Sequence, residues 1–173
     1  MQGPNLTSRI PTLYHFTDVR NLPGIRASKG LFPLSALNNA GIAIPAPGGN
    51  DWSHQADAAR GLDQYVHLCF RNNHPMEHVA RNDGRIGTSI FLEIDAVVLT
   101  WRGVMFTPDV SNKAGVGLHT LAQAETMIDF EVLYTPTDWS NATIQQRLQM
   151  AEKCEILVPH PIPANLIRNL PHG

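Results

Sequence analysis

The sequence predicts a single α+β domain, and three observations lead to this prediction. The chain has 173 residues, enough for one hydrophobic core but too few for two domains of ordinary size. Only 16% of the residues are charged, whereas 13 are glycine and 13 are proline, which favours short elements joined by shaped loops. Strand-like and helix-like segments alternate through linkers that are too irregular for repeated βαβ units.

Runs of aromatic and β-branched residues predict six short strands. These strands cover residues 13–16, 65–70, 89–94, 104–106, 130–134 and 154–158. Pro136 closes the fifth strand, because proline cannot donate a hydrogen bond to a neighbouring strand. The sixth strand is apolar except for Glu155 near its start.

Helix-forming residues, apolar spacing and capping residues predict five helices. The first helix is capped by Thr17 or Asp18 and ends at Gly30. The other four cover residues 52–60, 118–127, 142–153 and 164–170. The segment 32–49 is rich in proline, glycine, alanine and asparagine and is predicted to be a long loop, which in compact domains is often functional. Residues 1–10 are expected to be a loose lead-in to the one domain.

The net charge and the apolar segments argue against a duplex-binding, membrane-spanning or secreted protein. A net charge of −2 and a pI near 6.4 argue against binding of long duplexes, which requires a basic excess to neutralise phosphates. Glu93 and Asp95 interrupt the longest apolar stretch, so no transmembrane helix is expected, and no secretion signal is evident. Cys69 and Cys154 lie in apolar runs and are expected to be buried free thiols. The predicted compartment is the cytoplasm.

Familiar motifs for metal, phosphate and nucleophilic chemistry are missing from the sequence. His74 and His78 have the spacing of two zinc ligands on a helix, but no second pair completes a tetrahedral set, so no metal site is expected. Residues 45–49 lack the lysine and the hydroxyl residue of a phosphate-binding loop. No Gly-x-Ser-x-Gly elbow is present, and no GxGxxG follows a strand, which excludes NAD⁺ binding by a Rossmann fold.

Three separated segments carry polar residues in positions that suit a ligand site. His15 lies at the edge of the first strand, the strand of residues 65–70 runs toward His74, and Glu155 precedes an apolar run. An unpaired buried carboxylate is costly, so Glu155 must be exposed, partnered or facing a polar cleft. Taken singly, these segments also have ordinary interpretations: a structural histidine, a core strand and a surface glutamate.

Short motifs in a fixed order add a second line of argument. They are Tyr14-His15-Phe16-Thr17, residues 21–25, Tyr65-Val66, Pro75-Met76, Phe106-Thr107, Asp129-Phe130 and residues 151–158. Read together, they resemble the DarT family of ADP-ribosyltransferase toxins, which use NAD⁺ to modify bases of single-stranded DNA. The last run looks like the family's Ala-Glu-x-Leu-Val block, and the likeness covers most of the chain in outline.

The resemblance implies an ADP-ribosyltransferase fold, in which two small sheets with flanking helices enclose a cleft for NAD⁺. NAD⁺ is implied as a co-substrate, with no permanently bound cofactor. Glu155 matches the catalytic glutamate. Arg60 is the best match for the family's essential arginine, with an implied role on the pyrophosphate or the acceptor, although it lies unusually close to the following strand. The implied NAD⁺-binding residues are His15 and Thr17 at the nicotinamide end, together with Gly24, Phe32 and Tyr65.

The acceptor side is less well defined. Residues 130–145 are expected to contact the acceptor, with Tyr134 and Trp139 stacking on an unpaired base. Ordinary core packing is the alternative for both aromatic side chains. In the family's Tyr-Val-Pro-Phe-Tyr-Phe and Ser-Pro-Met motifs, this chain has His67 at the proline position and His74 at the serine position. These changes fall near the acceptor side, so the identity of the base is not carried over.

The function predicted on this basis is transfer of ADP-ribose from NAD⁺ to a nucleobase by a toxin, with single-stranded DNA favoured as the acceptor. A cognate antitoxin is a further expected partner, and no membrane contact is expected. Two alternatives are left open. One is transfer to RNA or to a protein side chain from the same site, and the other is a catalytically inactive relative that only binds nucleotide.

Overall fold

A five-stranded antiparallel sheet forms the centre of the fold in a computed structural model, which describes residues 6–171. From one edge to the other, its strands are β4 (Ser89–Ile94), β1 (Leu13–Asp18), β3 (Val66–Cys69), β6 (Glu155–Val158) and β5 (Met105–Thr107). A second antiparallel pair joins β2 (Gly30–Leu31) to β7 (Ile162–Pro163). The predicted α+β fold with two small sheets is confirmed.

Eight α-helices connect the strands in the described part of the chain. They are α1 (Leu6–Arg9), α2 (Leu22–Ala27), α3 (Leu34–Asn39), α4 (Asp51–Ala59), α5 (Pro75–Asn82), α6 (Leu121–Met127), α7 (Phe130–Tyr134) and α8 (Ala142–Ala151). Short 3₁₀ turns lie at Val19–Asn21, Leu62–Gln64, Ala96–Thr100 and Ala164–Leu166. Five of the six predicted strands and four of the five predicted helices are present, with ends shifted by a few residues. The helix predicted at 164–170 is reduced to the last 3₁₀ turn, since Ile167 already has an extended backbone.

Strand β6 lies in the middle of the hydrophobic core. Ile156, Leu157 and Val158 are completely buried, and the strand pairs with β3 on one side and β5 on the other. A short continuous apolar run of this kind is typical of a strand that is covered on both faces. Glu155, its first residue, stands opposite both Cys69 and Thr107. The two neighbouring strands therefore fix the position from which the carboxylate projects.

The prediction of a strand at residues 130–134 is wrong, because this segment forms α7. The Asp129 side chain caps the helix by accepting the Val132 N–H at 3.1 Å, and Arg147 of α8 binds the same carboxylate at 2.7 Å. The aromatic and β-branched composition that indicates a strand serves here to bury one face of the helix in the core. Local capping and tertiary packing thus override β-propensity.

Two further expectations need correction. The segment 32–49 is not a continuous loop, because α3 forms directly after Pro33, and only the part from residue 40 onward is irregular. The prediction of a loose lead-in is wrong for residues 6–10, where α1 leads to the buried Ile10, a member of the hydrophobic core. Residues 1–5 lie outside the described part of the chain.

The two cysteines are buried free thiols, as predicted. Burial raises the pKa of the Cys154 thiol to about 12, so this group stays protonated at neutral pH. Among residues 6–171, no helix has the length and apolar character needed to cross a bilayer.

A buried carboxylate fixes the end of β1, where the chain turns toward α2. The Asp18 side chain accepts the backbone N–H of Arg20 at 2.8 Å, the Arg20 guanidinium at 2.9 Å and the backbone N–H of Gly87 at 2.7 Å. The hydrogen bonds from the Arg20 side chain are the largest cause that holds the pKa of Asp18 well below its usual value, and they outweigh its desolvation. The ionised form is therefore the one that stabilises this turn.

We predict that Asp18→Asn lowers the free energy of unfolding at pH 7 by about 1.5 kcal/mol, the lower end for hydrogen bonds to a charged group, since water reaches about half of Arg20. Because the folded-state pKa is depressed, the contribution of Asp18 is present above the ordinary carboxyl pKa of about 3.9 and is lost as the pH falls further. Urea unfolding at pH 7 and pH 3 tests this. The difference between wild type and variant should shrink in acid. The control is Glu131→Gln, which breaks an ion pair that is exposed on both sides and should change stability little at either pH.

Candidate active site

A cavity of about 270 Å³ is lined by strands of both sheets. The six residues that the sequence assigns to the catalytic glutamate or to NAD⁺ binding all lie on its wall. They are His15, Thr17, Gly24, Phe32, Tyr65 and Glu155. Residues that are far apart in sequence are therefore brought together at one cavity, although their individual roles stay predictions.

Strand β1 supplies His15 and Thr17 to this wall. The His15 Nδ1–H donates to the carbonyl of His67 at 3.0 Å, and burial lowers the pKa of the His15 imidazole. The ring is therefore neutral near pH 7, with Nε2 as a hydrogen-bond acceptor. The Thr17 hydroxyl oxygen accepts the Asn21 side-chain amide at 3.0 Å, which leaves the hydroxyl hydrogen able to donate to a ligand.

Gly24 on α2 suits a place where a ligand passes close to the backbone. A Cβ at this position would meet no protein atom within 4 Å, so nothing in the protein itself requires glycine here. The position faces open space at the cavity wall. The space that a side chain would fill at this position is therefore open to a bound molecule.

The irregular segment 40–50 forms another part of the wall, and the buried side chain of Asn21 holds it in place. Asn21 donates its amide N–H to the Ala46 carbonyl at 2.7 Å and accepts the Ala46 backbone N–H at 2.9 Å. Arg85 adds a second attachment by donating to the Gly48 carbonyl. A loop rich in glycine and proline is thus held in one place over the cavity.

Glu155 enters the cavity from the start of β6 and is 7% exposed. Its Oε2 accepts the backbone N–H of Ser111 at 2.6 Å. Its Oε1 lies 3.8 Å from Nε2 of His74 and 4.0 Å from Nδ1 of His67. The carboxylate is therefore partnered on one oxygen, while the other faces two imidazoles within the distance that a small rotation or a bridging group can close.

Arg60 does not lie on the cavity wall. It follows α4, and its guanidinium donates to the backbone carbonyls of Ser111, Lys113 and Val116. The expectation that Arg60 acts directly on the pyrophosphate or the acceptor does not match this placement. Its hydrogen bonds instead fix the loop that presents the Ser111 N–H to Glu155.

The two aromatic residues expected at the acceptor have different surroundings. Tyr134 packs on the hydrophobic core, its hydroxyl donates to the Phe70 carbonyl at 3.2 Å, and burial raises its pKa, which agrees with the packing alternative. Trp139 is 42% exposed, and the Arg71 guanidinium lies 5.8 Å from its ring centroid. Arg71 comes two residues after Cys69, the partner of Glu155 in the sheet. Only Trp139 therefore has a free face for stacking.

Several residues at the site were not identified from the sequence. Asn21 and Ser111 act through single hydrogen bonds that depend on the folded loops, and no local pattern marks them. Asp57 lines the cavity from α4. Its Oδ1 is buried and has no hydrogen-bond partner among residues 6–171, and desolvation raises its pKa. His67 and His74 stand out in the sequence as departures from the family's motifs, but the sequence does not place them beside Glu155.

The fold defines the class of this protein, which is that of the ADP-ribosyltransferases. Several solved structures have this fold. Thermus sp. 2.9 DarT in complex with ADP-ribosylated ssDNA is 17% identical and has a TM-score of 0.65 over 91% of this chain and 79% of that one. The same protein in complex with NAD⁺ is 19% identical, with a TM-score of 0.59 over 91% and 79% of the two chains. Thermosipho africanus DarTG in complex with ADP-ribose is 13% identical, with a TM-score of 0.63 over 91% of this chain and 42% of the other.

The family is defined by the sequence as well as by the fold. A sequence model of the family described as "ssDNA thymidine ADP-ribosyltransferase, DarT" matches residues 14–170. The chain therefore belongs to the DarT family of NAD⁺-dependent ADP-ribosyltransferases. No match is found among curated protein sequences.

We predict that Asn21→Ala weakens NAD⁺ binding and lowers stability together. The substitution leaves the buried N–H and carbonyl of Ala46 without partners, and each unsatisfied group costs about 1–3 kcal/mol. The segment 40–50 of the cavity wall then loses the two hydrogen bonds that hold it to Asn21. Thermal unfolding and calorimetric titration with NAD⁺ measure the two effects, and Asn39→Ala, exposed at the end of α3, is the control. If the NAD⁺ affinity of Asn21→Ala is unchanged, the loop is not part of the NAD⁺-binding site.

Proposed function

We propose that this protein transfers ADP-ribose from NAD⁺ to the base of a thymidine in single-stranded DNA, with Glu155 as the catalytic carboxylate. The observation that carries the proposal is that Glu155 and His15, 140 residues apart (155 minus 15), line one cavity of a DarT-family fold. The family's own description supplies the acceptor. The Thermus relatives that bind NAD⁺ and ADP-ribosylated ssDNA support both substrates.

The charges on the cavity wall suit the reaction. Breaking the bond between nicotinamide and ribose places positive charge on the ribose, as in glycoside hydrolysis. The wall carries the carboxyl groups of Asp57, Asp63 and Glu155, and among the described residues that line it none is lysine or arginine. A neutral His15 adds no positive charge to this environment. As the bond breaks, the positive charge of the nicotinamide ring moves onto the ribose. Carboxyl groups beside the ribose stabilise the charge in its new position.

Glu155 has two tasks in the proposed reaction. Its oxygen that faces the cavity stabilises the developing charge by a hydrogen bond to a ribose hydroxyl and by its own negative charge. It also takes the proton that the base nitrogen must lose as the new bond forms, a role worth about 10²–10⁴-fold in rate. The Ser111 N–H supports both tasks, because a fixed donor holds the carboxylate in position.

Arg60 contributes to this mechanism through the loop that it holds. Its three carbonyl contacts stabilise residues 111–116, and this segment begins with the N–H that positions Glu155. We therefore propose Arg60 as a positioning residue instead of a group that touches NAD⁺. The other assignments implied by the resemblance remain proposals. His15 and Thr17 are proposed to bind the nicotinamide end of NAD⁺. Further contacts to NAD⁺ are proposed for Gly24, Phe32 and Tyr65.

The acceptor strand is proposed to run past Trp139 toward Glu155. An exposed tryptophan with an arginine over its ring can hold an unpaired base by stacking, while the guanidinium meets a phosphate. This mode of binding needs few phosphate contacts, in keeping with the net charge of −2. Tyr134 is assigned to the core in this proposal.

The antitoxin partner and the cellular location of the protein are also proposals. The Thermosipho relative is named DarTG, which supports a toxin that works with a cognate antitoxin. Two buried free thiols are consistent with a reducing compartment, and the cytoplasm is the proposed location.

The decisive experiment is incubation with NAD⁺ and two matched pairs of oligonucleotides, followed by mass spectrometry. One pair is single-stranded DNA and RNA of the same sequence, and the other is DNA with and without thymidine. The expected product is thymidine-containing DNA with one added ADP-ribose, together with free nicotinamide. Modification of RNA or of protein alone would establish the alternative acceptors, and NAD⁺ binding without nicotinamide release would indicate an inactive relative.

We predict that Glu155→Gln lowers the rate of transfer by about 10²–10⁴-fold or more, the contribution expected of a general base. The amide keeps an oxygen for the Ser111 N–H, so the melting temperature and NAD⁺ affinity should stay close to wild type. Glu125→Gln, on the exposed face of α6, is the matched control. Full activity in Glu155→Gln would exclude this carboxylate from the chemistry.

We predict that Trp139→Ala raises KM for the oligonucleotide and leaves KM for NAD⁺ unchanged. Loss of one stacked base corresponds to about 1–3 kcal/mol. Steady-state kinetics with each substrate varied in turn measures the split. Trp52→Ala removes another exposed tryptophan and should have no effect on either constant. Equal effects of the two variants would contradict a base-stacking role for Trp139.

A further inference from the structure

We propose that His67 is the final acceptor of the proton that the base loses, receiving it from Glu155. This inference rests on the proposed function, because it concerns the same transfer reaction. It is carried by the arrangement of two imidazoles around one oxygen of Glu155. Hydrogen bonds on the far side of each ring determine which of them can accept a proton.

The tautomer of His67 follows from its contact with a carbonyl. Its Nε2 lies 2.9 Å from the Leu62 carbonyl oxygen, which can only accept, so Nε2 carries the hydrogen. Nδ1 of the neutral ring is then a lone pair. This nitrogen lies 3.3 Å from the Ser111 hydroxyl and 4.0 Å from Oε1 of Glu155. His67 is thus ready to accept a proton on the side that faces the carboxylate.

His74 has the opposite arrangement. Its Nδ1 accepts the Met76 backbone N–H at 3.3 Å, so the hydrogen of the neutral ring is on Nε2, which lies 3.8 Å from the same Oε1 of Glu155. Nε2 is buried and has no hydrogen-bond partner in the described part of the chain. Burial lowers the pKa of His74, which keeps the ring neutral. His74 can therefore donate toward the carboxylate but is a poor place for an added proton.

Two acidic side chains lie near His67. Glu155 faces it from β6 and Asp57 from α4, and the mutual attraction between Asp57 and His67 opposes the desolvation of the Asp57 carboxyl. On the other elements it meets neutral groups, namely His15 on β1 and His74 before α5. The side chain of His67 is 27% exposed and lines the cavity, so an imidazolium there is partly solvated.

The proton balance of the reaction is then complete. The bond between the ribose C1′ and the nicotinamide nitrogen breaks, and its electron pair leaves with neutral nicotinamide. The electron pair of the base nitrogen forms the new bond to C1′. The proton of that nitrogen passes to Oε1 of Glu155 and then to Nδ1 of His67. The 4.0 Å separation must shorten to hydrogen-bond distance, as catalytic contacts commonly do when substrate binds.

Single-turnover transfer measured from about pH 5 to pH 9 tests this role. In wild type, the rate should decline toward acid, since a histidine that is already protonated cannot accept another proton. His67→Gln keeps a side-chain N–H for the Leu62 carbonyl and removes the basic nitrogen. We expect the rate to fall by about 10²-fold and the decline toward acid to disappear. The control is His160→Gln, which removes an exposed imidazole outside the cavity.

A structural role for His67 predicts a different result. A variant that only loosens the site would lower the rate at every pH and keep the wild-type decline. Free imidazole separates the two roles further, because it should restore transfer to His67→Gly in proportion to the neutral base and should not affect Glu155→Gln. No rescue, or an unchanged decline in His67→Gln, overturns the proposal.

The proposal can still be tested if a variant does not fold or if the proposed transfer to DNA is not observed. If His67→Gln does not fold, as judged by thermal unfolding, His67→Asn takes its place. A wild-type rate that is level across the whole pH range overturns the proposal without any variant. If wild type releases nicotinamide but modifies no oligonucleotide, the proposed function fails. The proton acceptor is then judged on NAD⁺ hydrolysis, in which water loses the proton.

Discussion

The burial of the Glu155 carboxylate at the start of an apolar strand is the constraint on which the rest of the structure depends. A carboxylate in this position is stable only if fixed donors or a polar cavity replace the water that it loses. The structure provides one donor from the backbone of Ser111 and leaves the second oxygen facing the cavity. Arg60 then has to hold the donor loop by its carbonyls. Much of the architecture around β6 thus serves one charged group.

The parts of the fold that follow from local chemistry could be predicted from the sequence. The β4 strand was predicted with the bounds that the structure has, because Ile90, Phe91 and Ile94 favour a strand and lie within one short run. The α7 segment has a similar composition and was assigned wrongly, since its helix is decided by the Asp129 cap and by the ion pair with Arg147. The capping residue Asp129 is visible in the local sequence. Its ion pair with Arg147 on another helix is not, because it depends on the tertiary fold.

In the site, too, local sequence predicts some residues, whereas the placement of others depends on tertiary contacts. Glu155 and His15 could be identified because each is a polar residue in an apolar strand, and the order of short motifs connected them. The position of Arg60 could not, because a guanidinium reaches several ångströms and its target carbonyls lie in an irregular loop. The histidine pair shows the same limit. His67 and His74 were visible as departures from the family's motifs, yet only coordinates reveal that both face one oxygen of Glu155.

The connection between α7 and α8 has a consequence for how such proteins diversify. The Asp129–Arg147 ion pair joins the two helices, so residues 135–141 form a loop whose ends are fixed from both sides. Every residue of this loop is exposed, and none belongs to the hydrophobic core. Insertions or substitutions there change the free energy of folding little, because lengthening a surface loop carries only a small entropic penalty. Trp139, the proposed stacking residue, lies in this loop. On that proposal, selection can alter substrate preference there independently of the strand that carries the carboxylate.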